Sequence, residues 1–94
     1  MRIITHRRIV AAQQAHPQCA SALDQWYRLC KKADWHNFAA LRTLFPSTGK
    51  AGDVFVFDIG GNKLRLIAAT HFNTGRLFIR AVLTHKEYDR GGWK

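Results

Sequence analysis

Near residue 53 the chain changes its period. Between residues 17 and 45 apolar side chains recur every three or four positions, whereas from Asp53 onward Val, Phe and Ile dominate in runs broken by Gly60-Gly61-Asn62 and Asn73-Thr74-Gly75. A period near 3.6 buries one stripe of a helix; apolar runs bounded by turn residues bury one or both faces of a strand. Helices therefore come first and a meander of strands follows. Both apolar sets are buried when the helices lie on one face of an antiparallel sheet. The expected class is α+β, with N-terminal helices packed on one face of a curved, mainly antiparallel four-stranded sheet.

Residues Met1 to Thr5 have the apolar content of a short first strand, and Thr5 is placed to cap a helix that ends at His16 before Pro17. A second helix fits Pro17 to Ala33, with Pro17 in the first turn and Cys19, Leu23, Trp26, Cys30 and Ala33 on one stripe. A third fits Asn37 to Phe45: Asn37 caps it, Phe38, Leu41 and either Leu44 or Phe45 form its apolar face, and Pro46 stops it. Ser47 to Gly52 reads as a mobile loop. Strands are expected at Val54 to Ile59, Lys63 to Phe72 and Arg76 to Leu83, followed by a short tail. In the middle strand Leu64, Leu66, Ala68 and Thr70 face one way and Lys63, Arg65, Ile67, Ala69 and His71 the other. Both faces are partly apolar, so this strand belongs at the centre of the sheet.

Residues 1–94 suffice for one domain with one core. Fifteen Lys and Arg against six Asp and Glu give a formal charge of +9, spread along the chain. A distributed positive field suits a polyanion, above all nucleic acid, whose phosphates release counterions on neutralisation; an acidic protein or an anionic membrane surface would answer the same charge. No apolar run reaches the roughly 20 residues of a membrane span. The opening Met1-Arg2-Ile3-Ile4-Thr5-His6-Arg7 holds no signal-peptide core, so a cytoplasmic location is expected. Cys19 and Cys30, read in one helix, would lie roughly 16 Å apart along its axis, too far for a disulfide, and read as buried thiols.

Five His and two Cys show no zinc-ligand spacing, and the acids near the strand ends, Asp58, Glu87 and Asp89, are too few for a two-metal site. Gly60-Gly61 lies between two strands and so reads as a hairpin turn rather than a phosphate cradle. No metal or cofactor is expected. Metal-free RNA cleavage needs less: RNA brings its own 2′-hydroxyl nucleophile, and the protein must hold phosphate charge and move two protons. Arginine suits the first task through its planar, permanently charged fork. Histidine suits the second, because its ordinary pKa lies close to the working pH. Arg65 and His85 are the candidates. A solvated Arg65, a His85 that caps a turn, a Tyr88 that merely lids the core and a surface His71 are the plain alternatives. His71 shares the Arg65 face by alternation and is a candidate base; Trp35 and Trp93 read as packing residues.

Gly60-Gly61-Asn62-Lys63-Leu64-Arg65-Leu66-Ile67 together with Thr84-His85-Lys86-Glu87-Tyr88-Asp89, preceded by Lys32-Ala33-Asp34-Trp35 and Phe45-Pro46-Ser47, resembles the HigB-type toxins of bacterial toxin–antitoxin modules, within the RelE-like superfamily. The resemblance runs over nearly the whole chain and is most specific in the last forty residues. It implies a small fold of helices on a curved antiparallel sheet, cleavage of mRNA, commonly on the ribosome, and silencing by a cognate HigA-like helix-turn-helix antitoxin. By position Arg65 would contact the scissile phosphate, His85 would be the general acid and Tyr88 would stack on a nucleotide or orient the nucleophile. Lys63, Arg80 and Lys86 would bind RNA nearby. RelE carries lysines on the strand before the turn, where this chain has Val56 and Asp58, neither of which can do that work. The base is thus left open, with Lys63 and His71 as substitutes. A non-catalytic RNA- or ribosome-binding module and a basic protein-binding adaptor are the competing classes.

Overall fold

Two helices and a short third one cover one face of a five-stranded sheet in the computed structural model, which describes residues 1–61 and 63–93. Asn62, part of the first turn signal, and Lys94 lie outside the described residues. In chain order the elements are β1 (Arg2–Ile4), α1 (His6–Ala15), a 3-10 turn (Pro17–Cys19), α2 (Ala20–Lys32), α3 (Phe38–Leu44), β2 (Gly49–Ala51), β3 (Val54–Ile59), β4 (Leu64–His71), β5 (Arg76–Thr84) and α4 (His85–Asp89). The strand order is β1-β5-β4-β3-β2. β4 is central, as its two apolar faces require. β1 lies parallel to β5 while every other pair is antiparallel. The chain thus starts at one edge of the sheet, crosses its face through the helices and returns at the other.

The stripe read along the second helix is the one that is buried. Cys19, Leu23, Trp26 and Cys30 pack with Ile9 and Leu41 against Phe55, Phe57, Ile59, Leu64, Leu66, Ala68, Leu77 and Ile79, the helix-facing side of three strands. Aromatic edges fill the contact: Trp26 meets Phe57 at 5.2 Å and Phe45 meets Phe57 at 5.5 Å, both edge to face. Of the two alternatives at the end of α3, Phe45 packs on this core and Leu44 stays 42% exposed.

Four sequence expectations are corrected. The 47–52 segment is no loop: Gly49–Ala51 forms a fifth strand at the edge of β3, with Thr48 buried before it, because the unpaired backbone of β3 offers a ladder that overrides weak strand propensity. Thr5 precedes α1 in a left-handed conformation, and its hydroxyl donates to Ile4 O and to Ile79 O (3.2 Å) instead of capping the helix. Pro17 opens a separate 3-10 turn holding Cys19, and α2 starts at Ala20. Finally, the C-terminal tail contains α4, fixed by a capping box in which Glu87 N donates to Thr84 Oγ1 (3.2 Å) and Thr84 N donates to Glu87 Oε1 (3.0 Å).

Candidate active site

The β3–β4 hairpin builds the site. A four-residue connection, Gly60 to Lys63, joins Ile59 to its partner Leu64, closed by Lys63 N donating to Ile59 O at 3.1 Å. Gly60 has φ +64°, and a Cβ there would stand 3.3 Å from Cys19 Sγ, so glycine answers both the turn and its close approach to the helix layer. This register sets Asp58 directly opposite Arg65 on the face away from the helices, where their side chains form an ion pair, each 21% exposed. Val56, Ile67 and Ala69 on the same face are buried although no helix of the main layer covers them.

The C-terminal segment lies over that face. α4 follows β5 at the end where Thr84 pairs with Leu64 and Leu83 with Arg65, so the chain turns back directly beside the guanidinium. Arg65 Cζ sits 5.4 Å from the centre of the Tyr88 ring. Tyr88 stacks in turn on Trp93, with centroids 4.9 Å apart at 16°, and Trp93 Nε1 donates to Tyr88 O at 2.9 Å. Ser47, Gly49, Lys50, Ala51, Val56, Asp58, Arg65 and Tyr88 enclose a hollow of about 240 Å³. Beside it, sharing Ala51, lies a more apolar one of about 460 Å³ lined by Arg80 and Trp93 among others. Cations, a carboxylate and a phenol ring thus converge on one face.

The candidate residues separate clearly. Arg65 and Tyr88 are brought together. His85 is the first, exposed residue of α4, next to the strand partner of Leu64, and its i,i+3 relation to Tyr88 puts the two on one side of the helix, about 5–6 Å apart at Cβ. Thr84, not His85, caps the helix. Lys86 is exposed on α4 and Lys63 is exposed in the turn before β4. Arg80 reaches the same face through a bulge: Ile67 pairs with Ala81 but Ala68 pairs with Ile79, so Arg80 is the extra residue and lines the second hollow. His71 does not join them. It ends β4 six residues from Arg65, about 20 Å along the strand, and its ring packs edge-on to Phe78 at 5.3 Å.

Two site features escaped the sequence reading. Asp58 stands two residues before the connection and Arg65 two after it, so counting outward from the turn pairs them. The Thr84-x-x-Glu87 pattern marks the start of α4. Glu87 is held below the usual carboxylate range, first by the Thr84 backbone N–H and then by the Thr84 hydroxyl. Cys30 behaves oppositely: burial pushes its thiol far above the usual range. Among the described residues no three His, Cys, Asp or Glu side chains gather as metal ligands, and no helix is long and apolar enough to cross a membrane.

Comparison with known proteins defines the class. A family model described as HigB_toxin, RelE-like toxic component of a toxin–antitoxin system, matches residues 19–91. The mRNA interferase HigB of Escherichia coli O6:H1 (strain CFT073) is 33% identical over 93 residues, 96% of this chain and 90% of that protein. The mRNA interferase toxin HigB of Escherichia coli K12 is 33% identical over 92 residues, 95% of this chain and 88% of that protein. This chain belongs to the HigB family of RelE-like toxins.

Proposed function

We propose that this chain is an mRNA interferase: an endoribonuclease that cleaves mRNA on the ribosome, with the 2′-hydroxyl of the RNA as nucleophile and without a metal ion. The observation that carries the reading is the Arg65 guanidinium against the Tyr88 ring in an open hollow on a chain of charge +9. The family match and the names of the relatives agree with it. A permanent cation at the floor of a hollow, partly shielded from water, stabilises charge that grows on a phosphoryl group more strongly than a surface cation does.

In this reading the scissile phosphate lies over Arg65, whose fork bonds its oxygens. Tyr88 stacks on or orients an adjoining nucleotide, a sequence-tolerant contact worth about 1–3 kcal/mol per base. His85, exposed at the start of α4, gives a proton to the departing 5′-oxygen. Exposed Lys63 in the turn and Lys86 on α4, with Arg80 lining the second hollow, draw the RNA backbone onto this face. Membership of a toxin–antitoxin family supports an antitoxin partner; in this reading it is a HigA-like protein that silences the chain.

The test is the chemistry of the cut ends. Purified chain stripped of bound metal with EDTA, freed of the chelator and mixed with ribosomes and mRNA in ribosome buffer should yield 2′,3′-cyclic phosphate and 5′-hydroxyl ends. Ends bearing a 3′-hydroxyl would refute attack by the 2′-oxygen. Ribosome binding with no cut ends would replace the nuclease by a binding module.

A further inference from the structure

We infer that Asp58 is the general base of this cleavage, taking the proton from the attacking 2′-hydroxyl. The inference rests on the nuclease reading above and completes its proton account. Attack by the 2′-oxygen forms the O–P bond and releases one proton; the P–O5′ bond then breaks with its electron pair on O5′, which takes a proton from His85. Asp58 ends protonated and His85 neutral, and exchange with solvent resets both. One acceptor is therefore needed beside the phosphate, opposite the donor.

Among the described residues, Asp58 is the one carboxylate that lines the Arg65 hollow. Its place is set by the backbone ladder, since the hairpin register puts it directly across from Arg65, and its side chain is 21% exposed, open enough for an RNA hydroxyl to reach. An ionised carboxylate offers about four lone-pair positions over two oxygens. The ion pair with Arg65 is recorded at Oδ1, one of the carboxylate's two oxygens. The same pair orients the carboxylate, the relation of base to orienting group that proton abstraction requires. The two substitutes are worse placed. His71 stands about 20 Å along β4 from Arg65, and Lys63, in the turn, is a cation that accepts a proton only after losing one.

Cleavage of mRNA in the presence of ribosomes is compared for wild type, Asp58→Asn, Asp58→Glu, Asp58→Ala and Arg65→Ala. Asp58→Asn should lose about 10²- to 10⁴-fold in rate, the usual contribution of a general base. Binding of RNA with a 2′-deoxy nucleotide at the cut should stay as tight or tighten, because one negative charge is gone from beside the phosphate. Asp58→Glu should retain more activity than Asp58→Asn, and formate should restore part of the rate to Asp58→Ala but none to Arg65→Ala. The acid-side fall of the wild-type rate should vanish in Asp58→Asn; among the described residues, Lys50 from β2, Arg65 from β4 and Tyr88 from α4 are the ionisable groups that line the hollow with the carboxylate. Rates for Asp58→Asn within threefold of wild type, or equal losses of binding and cleavage, would overturn the assignment while an inactive Arg65→Ala left the nuclease standing. An inactive wild type would remove both.

Discussion

Removing the Thr84 hydroxyl should loosen α4 without unfolding the sheet. α4 has five residues and buries none of them, so it has neither the length nor the packing to stand alone. Its first turn depends on the reciprocal bonds between Thr84 and Glu87. Thr84→Ala removes the acceptor for Glu87 N and the 3.1 Å bond from the hydroxyl to Glu87 Oε1, and keeps the bond from Thr84 N to Glu87. Loss of such a cap costs about 1 kcal/mol. With RT near 0.59 kcal/mol, that raises the population of locally opened α4 about fivefold. The amides that report it are Arg90 N, bonded to Lys86 O, and Gly91 N, bonded to Tyr88 O. Their hydrogen exchange should accelerate about fivefold in Thr84→Ala and little in Thr84→Ser, while amides of β4, held in the centre of the sheet, stay unchanged. Equal acceleration in β4 would mean that the cap supports the whole fold. No acceleration would mean that the Tyr88–Trp93 stack alone holds α4. Either result would refute the reasoning.

Acid should open the same helix. The Glu87 carboxyl is held low in the folded chain, so its contribution is present above the unfolded carboxylate pKa of about 4.3 and is lost as pH falls through the lower folded value. The near-UV signal of the Tyr88–Trp93 stack should therefore decline below about pH 4 in wild type and show no such step in Glu87→Gln. Asp58 and Arg65 side chains are each 21% exposed, between a surface pair and a buried one. A double-mutant cycle with Asp58→Asn and Arg65→Met, read by urea unfolding, should give a coupling of about 1–2 kcal/mol; a value near zero would mean that the pair is not formed in solution. Cys30, fully buried with its thiol pKa driven up by that burial, should resist alkylation in the native chain at pH 8 and react only on unfolding.

Much of the fold lay open to the sequence because its signals were local. The stripe of α2, the cap at Asn37, whose Oδ1 accepts from Ala40 N at 2.8 Å, and the span of β3 all follow from short patterns. What stayed hidden depends on partners distant in the chain. Gly49, Lys50 and Ala51 are poor strand formers and become a strand only because β3 leaves an edge for them. Arg80 sits in a bulge of β5 that shows only in its register with β4. The fifth strand and the parallel β1–β5 pair are likewise consequences of packing. Of the candidate site, Arg65 and Tyr88 were legible in the short motifs that carry the resemblance, and the return of the chain from β5 into α4 brings the two together. Asp58 stands where the RelE resemblance expects lysine, and its pairing with Arg65 shows only across the turn, in the register of β3 with β4.

The central claim is that the Arg65 guanidinium stabilises charge on a phosphate during RNA cleavage, and single-turnover cleavage of ribosome-bound mRNA by wild type, Arg65→Lys and Arg65→Ala tests it most directly. Loss of one preorganised donor group predicts a fall of about 10²- to 10³-fold for Arg65→Ala, with partial activity in Arg65→Lys, which keeps the charge but not the fork. Arg65→Ala protein that folds like wild type and cleaves at its rate would contradict the account.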